Sequence, residues 1–219
     1  LATAAGDPSA IVGHAGIADL AKTVATALIA RGQSAVTLQV DLRYAPGALT
    51  ASTWPARFAD TGLTGRVTML GLAERQAVAG KPAPADPVGE VAAALAGQLT
   101  ALGVTTAVDP ARITEGPAGS STSTLGPTTP AAGSATGAPA GAAELGAVES
   151  APVVDLLGLA LQRSDNALAE SLARQAAFRS GRASDFAGVA AYLRDAVAAA
   201  GVDVTGVALQ DASGLTAAD

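Results

Sequence analysis

The sequence predicts an α+β fold in which a small α/β unit is followed by a mostly helical second half. Apolar and polar residues alternate strictly over 36–42, which is typical of a half-buried strand, and helix-period patterns flank it. From about residue 144 onward, apolar residues recur mainly at helical spacing. Between the halves, 116–143 holds only Gly, Ala, Ser, Thr and Pro apart from Leu125. This tract is predicted to be a linker or surface loop, because it cannot bury enough apolar area to offset its ordering entropy.

The first half is predicted to contain two helices and three strands. The pattern beginning at Ile17 indicates a helix that ends near Gly32, and the alternating strand follows it. Asp86-Pro87 is typical of a helix start, with Asp as the N-cap and Pro at the first helical position. The stripe of this second helix is predicted to be buried from Val88 to Leu102. The two other strands are predicted over 66–72 and 104–108.

The second half is predicted to open with a helix from about Ala151, capped by Ser150. Its residues are apolar nearly all round, which predicts a deeply buried helix. The pattern breaks at 163–166. Two further helices, a strand and a turn are then predicted, over 168–176, 186–197, 202–209 and 211–214 respectively.

Composition excludes several classes of function. The chain has 219 residues, a net charge of −6 and 13 basic residues without a cluster, which argues against nucleic-acid partners. It has no cysteine and a single histidine, His14, so thiol chemistry, a zinc site and a Ser-His-Asp triad are not expected. No metal or cofactor is therefore predicted. No apolar run approaches the roughly 20 residues of a membrane span. A chain that opens at Leu1 without a start methionine is interpreted as an excerpt of a longer protein.

One polar triplet stands out at the break between the helices. Ser164-Asp165-Asn166 contains the only asparagine of the chain. It can be an ordinary capping turn, in which Ser and Asp accept hydrogen bonds from free N–H groups of the next helix. Alternatively, a short polar turn supported by two apolar helices is suited to a preorganised site. The triplet by itself does not decide between these interpretations.

The flanks of the triplet carry a resemblance to a known family. The block formed by Val148–Val153 and Gln162–Glu170 resembles the segment around the S-x-N motif of low-molecular-mass class C penicillin-binding proteins, the D-alanyl-D-alanine carboxypeptidase/endopeptidase group. Residues 211–215 are similar to the D-x-S-G-L turn of that group. Residues 6–8 and 46–72 are similar to parts of its inserted region.

The resemblance implies both an architecture and an activity. Residues 144–219 would form part of a β-lactamase/transpeptidase-like domain, and 1–115 an inserted α/β domain. The enzyme would cleave D-Ala-D-Ala in peptidoglycan stem peptides through an acyl-serine intermediate, outside the cytoplasm in the cell envelope or as a secreted protein. Ser164 would be catalytic, carrying a proton to the departing amine, and Asn166 would bind a substrate amide. β-Lactams would acylate the intact enzyme.

Two other signatures of the family are missing from the chain. No serine is followed by lysine three positions later, since the two lysines, Lys22 and Lys81, follow Asp19 and Val78 at that spacing. K-T-G is also absent. We therefore expect this chain alone to be inactive. Two alternatives remain: a non-catalytic cell-envelope protein that keeps the scaffold for binding, and an interaction domain in which the triplet only caps a helix.

Overall fold

The computed structural model describes residues 2–114 and 143–216, which form a mixed α and β structure. The predicted linker lies outside these ranges except for its last residue, Ala143. In chain order the elements are α1 (Ile17–Ala30), β1 (Ala35–Asp41), α2 (Arg57–Asp60), a 3-10 turn (Ala73–Arg75), α3 (Pro87–Ala101), β2 (Thr105–Ile113), α4 (Val153–Arg163), α5 (Asn166–Arg179) and α6 (Phe186–Ala199).

A two-stranded parallel sheet forms the centre of the first half. β1 pairs with β2 from Ala35–Thr105 onward, with an irregularity between Leu38 and Val40. A parallel pair needs a long crossover, and α3 lies within it. The core is built from α1, α3 and the residue just before β2, and its buried residues are Ala21, Ala25, Leu28, Leu99 and Val104. The alternation predicted for β1 is confirmed, because Val36, Leu38 and Val40 are half-buried and the residues between them are exposed.

The ends of the first two long helices follow the predicted local chemistry. The Asp86 carboxylate accepts a hydrogen bond from the Gly89 N–H at 3.0 Å, and Pro87 is the first helical residue. After α1, Gly32 adopts a φ of +70°, a conformation that costs glycine little. Val88 is buried as predicted, whereas Leu102 lies beyond α3 and is 42% exposed.

Two of the predicted strands are wrong. In 66–72 the Val67 side chain is fully buried against Ala51 and Trp54, and its N–H donates to the Leu49 carbonyl in a loop rather than in a ladder. The segment 202–209 forms no strand either, and its apolar side chains are largely exposed. A strand needs a partner strand, and in the described ranges neither segment has one apart from an isolated bridge between Leu72 and Ala2.

The prediction that α4 is deeply buried and capped by Ser150 is also wrong. The N-cap is Pro152, so Ser150 lies two residues too early to reach the first free N–H groups. One face packs, through Leu156, Leu159 and Ala160. The other face is open to solvent, with Val153, Val154, Leu157 and Leu161 between 46% and 74% exposed. A helix that is apolar nearly all round can be buried, but its sequence does not show which face packs against another element.

α5 and α6 each begin after an aspartate. The Asp165 side chain accepts from the Leu168 N–H at 3.0 Å, and the Asp185 side chain accepts from the Gly188 N–H at 2.7 Å. The buried face of α5 differs from the predicted apolar stripe, which is only half-buried. The fully buried residues are instead mostly polar: Glu170, Ser171, Arg174 and Ala177.

Throughout 2–114 and 143–216, no helix combines the length and apolarity needed to cross a membrane.

Candidate active site

The Ser164–Asn166 turn joins α4 to α5 without an intervening loop. The N–H groups of Ser164 and Asp165 donate back to the carbonyls of Leu161 and Ala160, at 3.4 and 2.9 Å, which closes α4. Ser164 has φ 51° and ψ 40°, in the left-handed region. Glycine is the usual residue at this point of a helix end, because a side chain there crowds the backbone. A serine held in that conformation is one of only two non-glycine residues with positive φ in the described ranges.

Asp165 fixes the turn on two sides. One carboxylate oxygen caps α5, as described above, and the other accepts a hydrogen bond from Gln76 Nε2 at 3.1 Å. Gln76 directly follows the 3-10 turn of the first half. The turn is thereby joined both to its own helix and to a segment 89 residues earlier in the chain.

The turn lines a cleft of about 570 Å³. One wall is formed by 163–168 and the following turns of α5, and the other by segments of 62–77 together with Pro84 and Pro87. The walls meet where Gly65 lies against Ala167, since a Cβ at residue 65 would stand 3.3 Å from the Ala167 Cβ. The site is thus a groove between the helical part and a loop of the first half.

Ser164 and Asn166 both line this cleft, so the structure brings the two predicted site residues together. Ser164 is exposed and Asn166 is half-buried. Within the described part of the chain, neither side chain takes part in a hydrogen bond, whereas Asp165 between them makes two. A free hydroxyl and a free planar amide together offer donors and acceptors to a peptide group. The cap of α5 is Asp165 alone; the catalytic role of Ser164 and the binding role of Asn166 stay predictions.

A family model places these features in a known group. The model described as "D-Ala-D-Ala carboxypeptidase 3 (S13) family" matches residues 24–219. The chain belongs to this family. The resemblance stated from the sequence is confirmed at that level.

Two curated relatives of this S13 family member carry the name carboxypeptidase. Carboxypeptidase Rv3627c of Mycobacterium tuberculosis is 38% identical over 87 residues, which is 40% of this chain and 19% of the relative. Carboxypeptidase DacB of Mycolicibacterium smegmatis is 36% identical over 76 residues, 35% of this chain and 16% of the relative. The match therefore spans less than a fifth of either relative. No solved structure matches the chain significantly.

The S13 chain also holds a buried polar cluster that was not predicted from the sequence. Asp211, 5% exposed, accepts hydrogen bonds from Trp54 Nε1 at 2.9 Å, from the Thr216 N–H at 2.9 Å and from Ser213 and Gly214 in its own turn. Burial raises the pKa of Asp211, but the hydrogen bonds from Thr216, Trp54 and Gly214 outweigh burial and leave it below its ordinary value. Only the D-x-S-G-L pattern drew attention to this turn.

Glu170 is the second carboxylate of that cluster. It is 1% exposed, and one oxygen accepts the backbone N–H groups of Ala212 and Ser213. Burial raises the pKa of Glu170, and the charge of Asp211 acts in the same direction against these hydrogen bonds. The spacing of Glu170 and Arg174 on one helix face was a sequence signal, and it was obscured by the apolar stripe beside it.

No three His, Asp or Glu side chains within residues 2–114 and 143–216 are grouped so that they could hold a metal ion. His14 is half-buried in the loop before α1, with Nδ1 3.2 Å from the Ala10 carbonyl oxygen.

Proposed function

We propose that this chain is part of a peptidoglycan D-alanyl-D-alanine carboxypeptidase/endopeptidase of the penicillin-binding type. The observation that carries the proposal is a pair of polar side chains, Ser164 and Asn166, that line one cleft from a turn held on both sides and make no hydrogen bond in the described ranges. Membership of the S13 family supports peptidase chemistry, and the two relatives are both named carboxypeptidases.

The proposed reaction is an acyl transfer. A serine outside the described site attacks the carbonyl of the D-Ala-D-Ala amide, the C–N bond breaks, and the departing amine takes a proton. The acyl-serine is then hydrolysed by water, so one difficult step is divided into two easier ones. In this scheme Ser164 passes a proton through its hydroxyl to the amine, and Asn166 pairs its planar amide with a peptide amide of the substrate.

The same proposal covers architecture and location. Residues 1–115 would be an insertion into a transpeptidase-like domain that resumes near residue 144 and is completed by residues outside this chain. The enzyme would act outside the cytoplasm on stem peptides, and β-lactams would acylate its serine. The chain alone would be inactive, because no serine in it has a lysine three positions later.

The experiment compares Asn166→Ala with the wild type in the full-length protein. Losing a substrate amide contact costs about 1–3 kcal/mol, so kcat/KM on a D-Ala-D-Ala peptide should fall roughly five- to a hundredfold. The Tm should change little, because the Asn166 side chain bonds to nothing in the described part of the chain. The control is Gln162→Ala, an exposed substitution in the last turn of α4, which should leave kcat/KM unchanged.

Two outcomes would oppose the proposal. Near-wild-type turnover of Asn166→Ala would leave the triplet a helix cap. A full-length wild type that binds stem peptide without cleaving it or reacting with penicillin would favour the non-catalytic binding protein.

A further inference from the structure

Two buried charged residues lie one and two turns after Asn166 on the same helix. Glu170 and Arg174 are 1% and 2% exposed, so both are more buried than most apolar residues of this half. Residues four apart on a helix share a face. Asn166, Glu170 and Arg174 therefore form one row along α5, and any rotation of α5 about its axis moves all three together.

Glu170 joins this row to the turn at 211–216. Its Oε1 accepts the N–H groups of Ala212 and Ser213, the latter at 2.9 Å. That turn is itself held by Asp211, whose carboxylate accepts the indole N–H of Trp54. The carboxylate of Glu170 thus connects α5 to a turn 42 residues later in the chain.

Arg174 joins the same row to the segment around residue 47. Its Nη2 donates to the Ala48 carbonyl at 2.8 Å, and its guanidinium lies 5.1 Å from the centre of the Phe186 ring. Gly47 packs directly against it, since a Cβ at residue 47 would stand 2.8 Å from the Arg174 Cζ. The guanidinium is enclosed by α6 on one side and by this loop on the other.

The pair is costly to bury. Glu170 Oε2 and Arg174 Nε are buried without a hydrogen-bond partner in the described ranges. Taking a charged group out of water carries a desolvation cost that its contacts have to offset, so two buried charged residues are weak evidence for a stabilising role. The two groups instead fix the orientation of α5, because each can make its hydrogen bonds at only one rotation of the helix about its axis.

We propose that Glu170 and Arg174 are positioning residues that fix the rotation of α5 and so direct the Asn166 amide into the cleft. This inference rests on the proposed peptidase function, in which Asn166 binds the substrate amide. Misplacing a contact group by about 1 Å can cost on the order of a hundredfold in rate.

The test is a double-mutant cycle in the full-length protein, with kcat/KM on a D-Ala-D-Ala peptide and the acylation rate by fluorescent penicillin as readouts. Glu170→Ala should lower both by about tenfold or more, and Glu170→Gln, which keeps an acceptor oxygen, should restore them to within about threefold. In an Asn166→Ala background, Glu170→Ala should have little further effect, because both changes remove the same contact.

Val189→Ala is the matched control, since Val189 is fully buried on α6 and its side chain is apolar. It should lower the Tm as Glu170→Ala does while leaving kcat/KM unchanged. If Glu170→Ala does not fold, Gly47→Ala provides the same test, since it retains every charge and displaces Arg174. It should lower kcat/KM in the wild-type background and not in Asn166→Ala.

The outcomes separate the two proposals. Wild-type turnover combined with additive losses for Glu170→Ala and Asn166→Ala would overturn the positioning role alone. Absence of both turnover and labelling in the wild type would overturn the proposed function, and the positioning role with it.

Discussion

Ser164 combines an unfavourable backbone conformation with a side chain that has no bonding duty within the described part of the chain. Left-handed φ costs an L-residue about 1–2 kcal/mol relative to glycine, and natural helix ends usually avoid this cost by placing glycine there. Nine glycines of the described ranges adopt positive φ, so the chain uses glycine freely at such positions. Serine at position 164 is therefore better explained by its hydroxyl than by its backbone.

The first prediction follows from that conflict. Ser164→Gly should stabilise the chain by about 0.5–1 kcal/mol, the strain relieved less the entropy that glycine loses on folding. In the full-length enzyme the same change should lower kcat by about a hundredfold, since it removes the proposed proton relay. Tm and steady-state kinetics measure the two effects.

Ser180→Gly is its control. Ser180 also follows a helix, but its φ is −85° and its hydroxyl donates to the Ala176 carbonyl, so glycine there should destabilise. Equal destabilisation by both substitutions would contradict the left-handed conformation of Ser164.

At the scale of the element, the features that could be predicted from the sequence are those that depend on residues close together in the chain. The starts of α3 and α5 depend on an aspartate that bonds an N–H three residues later, and such contacts are visible in the order of residues. The strands expected at 66–72 and 202–209 depend on a partner elsewhere, which alternation does not specify. The exposed face of α4 was missed for the same reason. Its apolar residues indicate that the helix can be buried, but they do not indicate which face packs against a neighbouring element.

The cap of α5 gives the second prediction. Asp165→Ala removes both the cap and the bond from Gln76, and should cost about 1–3 kcal/mol. Asp185→Ala, at the start of α6, removes a cap together with a charge that acts on the buried Arg174, and should cost at least about 1 kcal/mol. Gln76→Ala should account for the part of the Asp165→Ala cost that exceeds a cap. Urea denaturation of each variant measures these values, and a Gln76→Ala variant as stable as the wild type would show that the Gln76 contact adds nothing.

At the scale of the molecule, the first half has an apolar core of its own, centred on Leu28, Leu99 and Val104. The helical half is joined to the loops at 44–68 by apolar contacts, in which Phe186 packs against Trp54, and also by polar ones. The polar contacts include Ser171 to the Thr68 carbonyl and Trp54 to Asp211, across 103 and 157 residues. The triplet was found from the sequence because its three residues are adjacent. The buried polar cluster around Asp211 and Glu170 was not found, because its members are far apart in the sequence and adjacent only in space.

The composition of the cleft leads to a third prediction, for the 219-residue chain by itself. It should neither hydrolyse a D-Ala-D-Ala peptide nor be labelled covalently by fluorescent penicillin. Hydrogen-bonding groups alone cannot form an acyl-enzyme, and no serine here has the lysine base of the family signature. The full-length protein serves as the positive control. Stoichiometric labelling of the purified chain would mean that one of its own serines is the nucleophile.

The two buried carboxylates contribute to the pH dependence of stability with opposite signs. Burial raises the pKa of Glu170 above its ordinary 4.5, so its contribution is complete below that pH and is lost as pH rises through the raised pKa. Asp211 has the opposite sign. Its pKa lies below the ordinary 3.8 because donated hydrogen bonds outweigh burial, so its contribution is complete above that pH and is lost as pH falls through the lowered pKa.

The last prediction uses these opposite signs to separate the two groups within one cluster. The free energy of unfolding of the chain should decline on both sides of a mildly acidic maximum. Glu170→Gln should flatten the decline toward neutral pH and leave the acid side intact, because its amide does not ionise. Asp211→Asn should flatten the acid side, and should weaken the neutral-side decline without abolishing it, because the charge of Asp211 helps to raise the pKa of Glu170. Glu90→Gln is the control. Arg75 lowers the pKa of the half-exposed Glu90, so removing this carboxylate should leave the decline toward neutral pH unchanged. Urea titrations across about pH 3–8 measure all four proteins. A neutral-side decline that survives in Glu170→Gln would mean that ionisation of this buried carboxylate does not oppose folding.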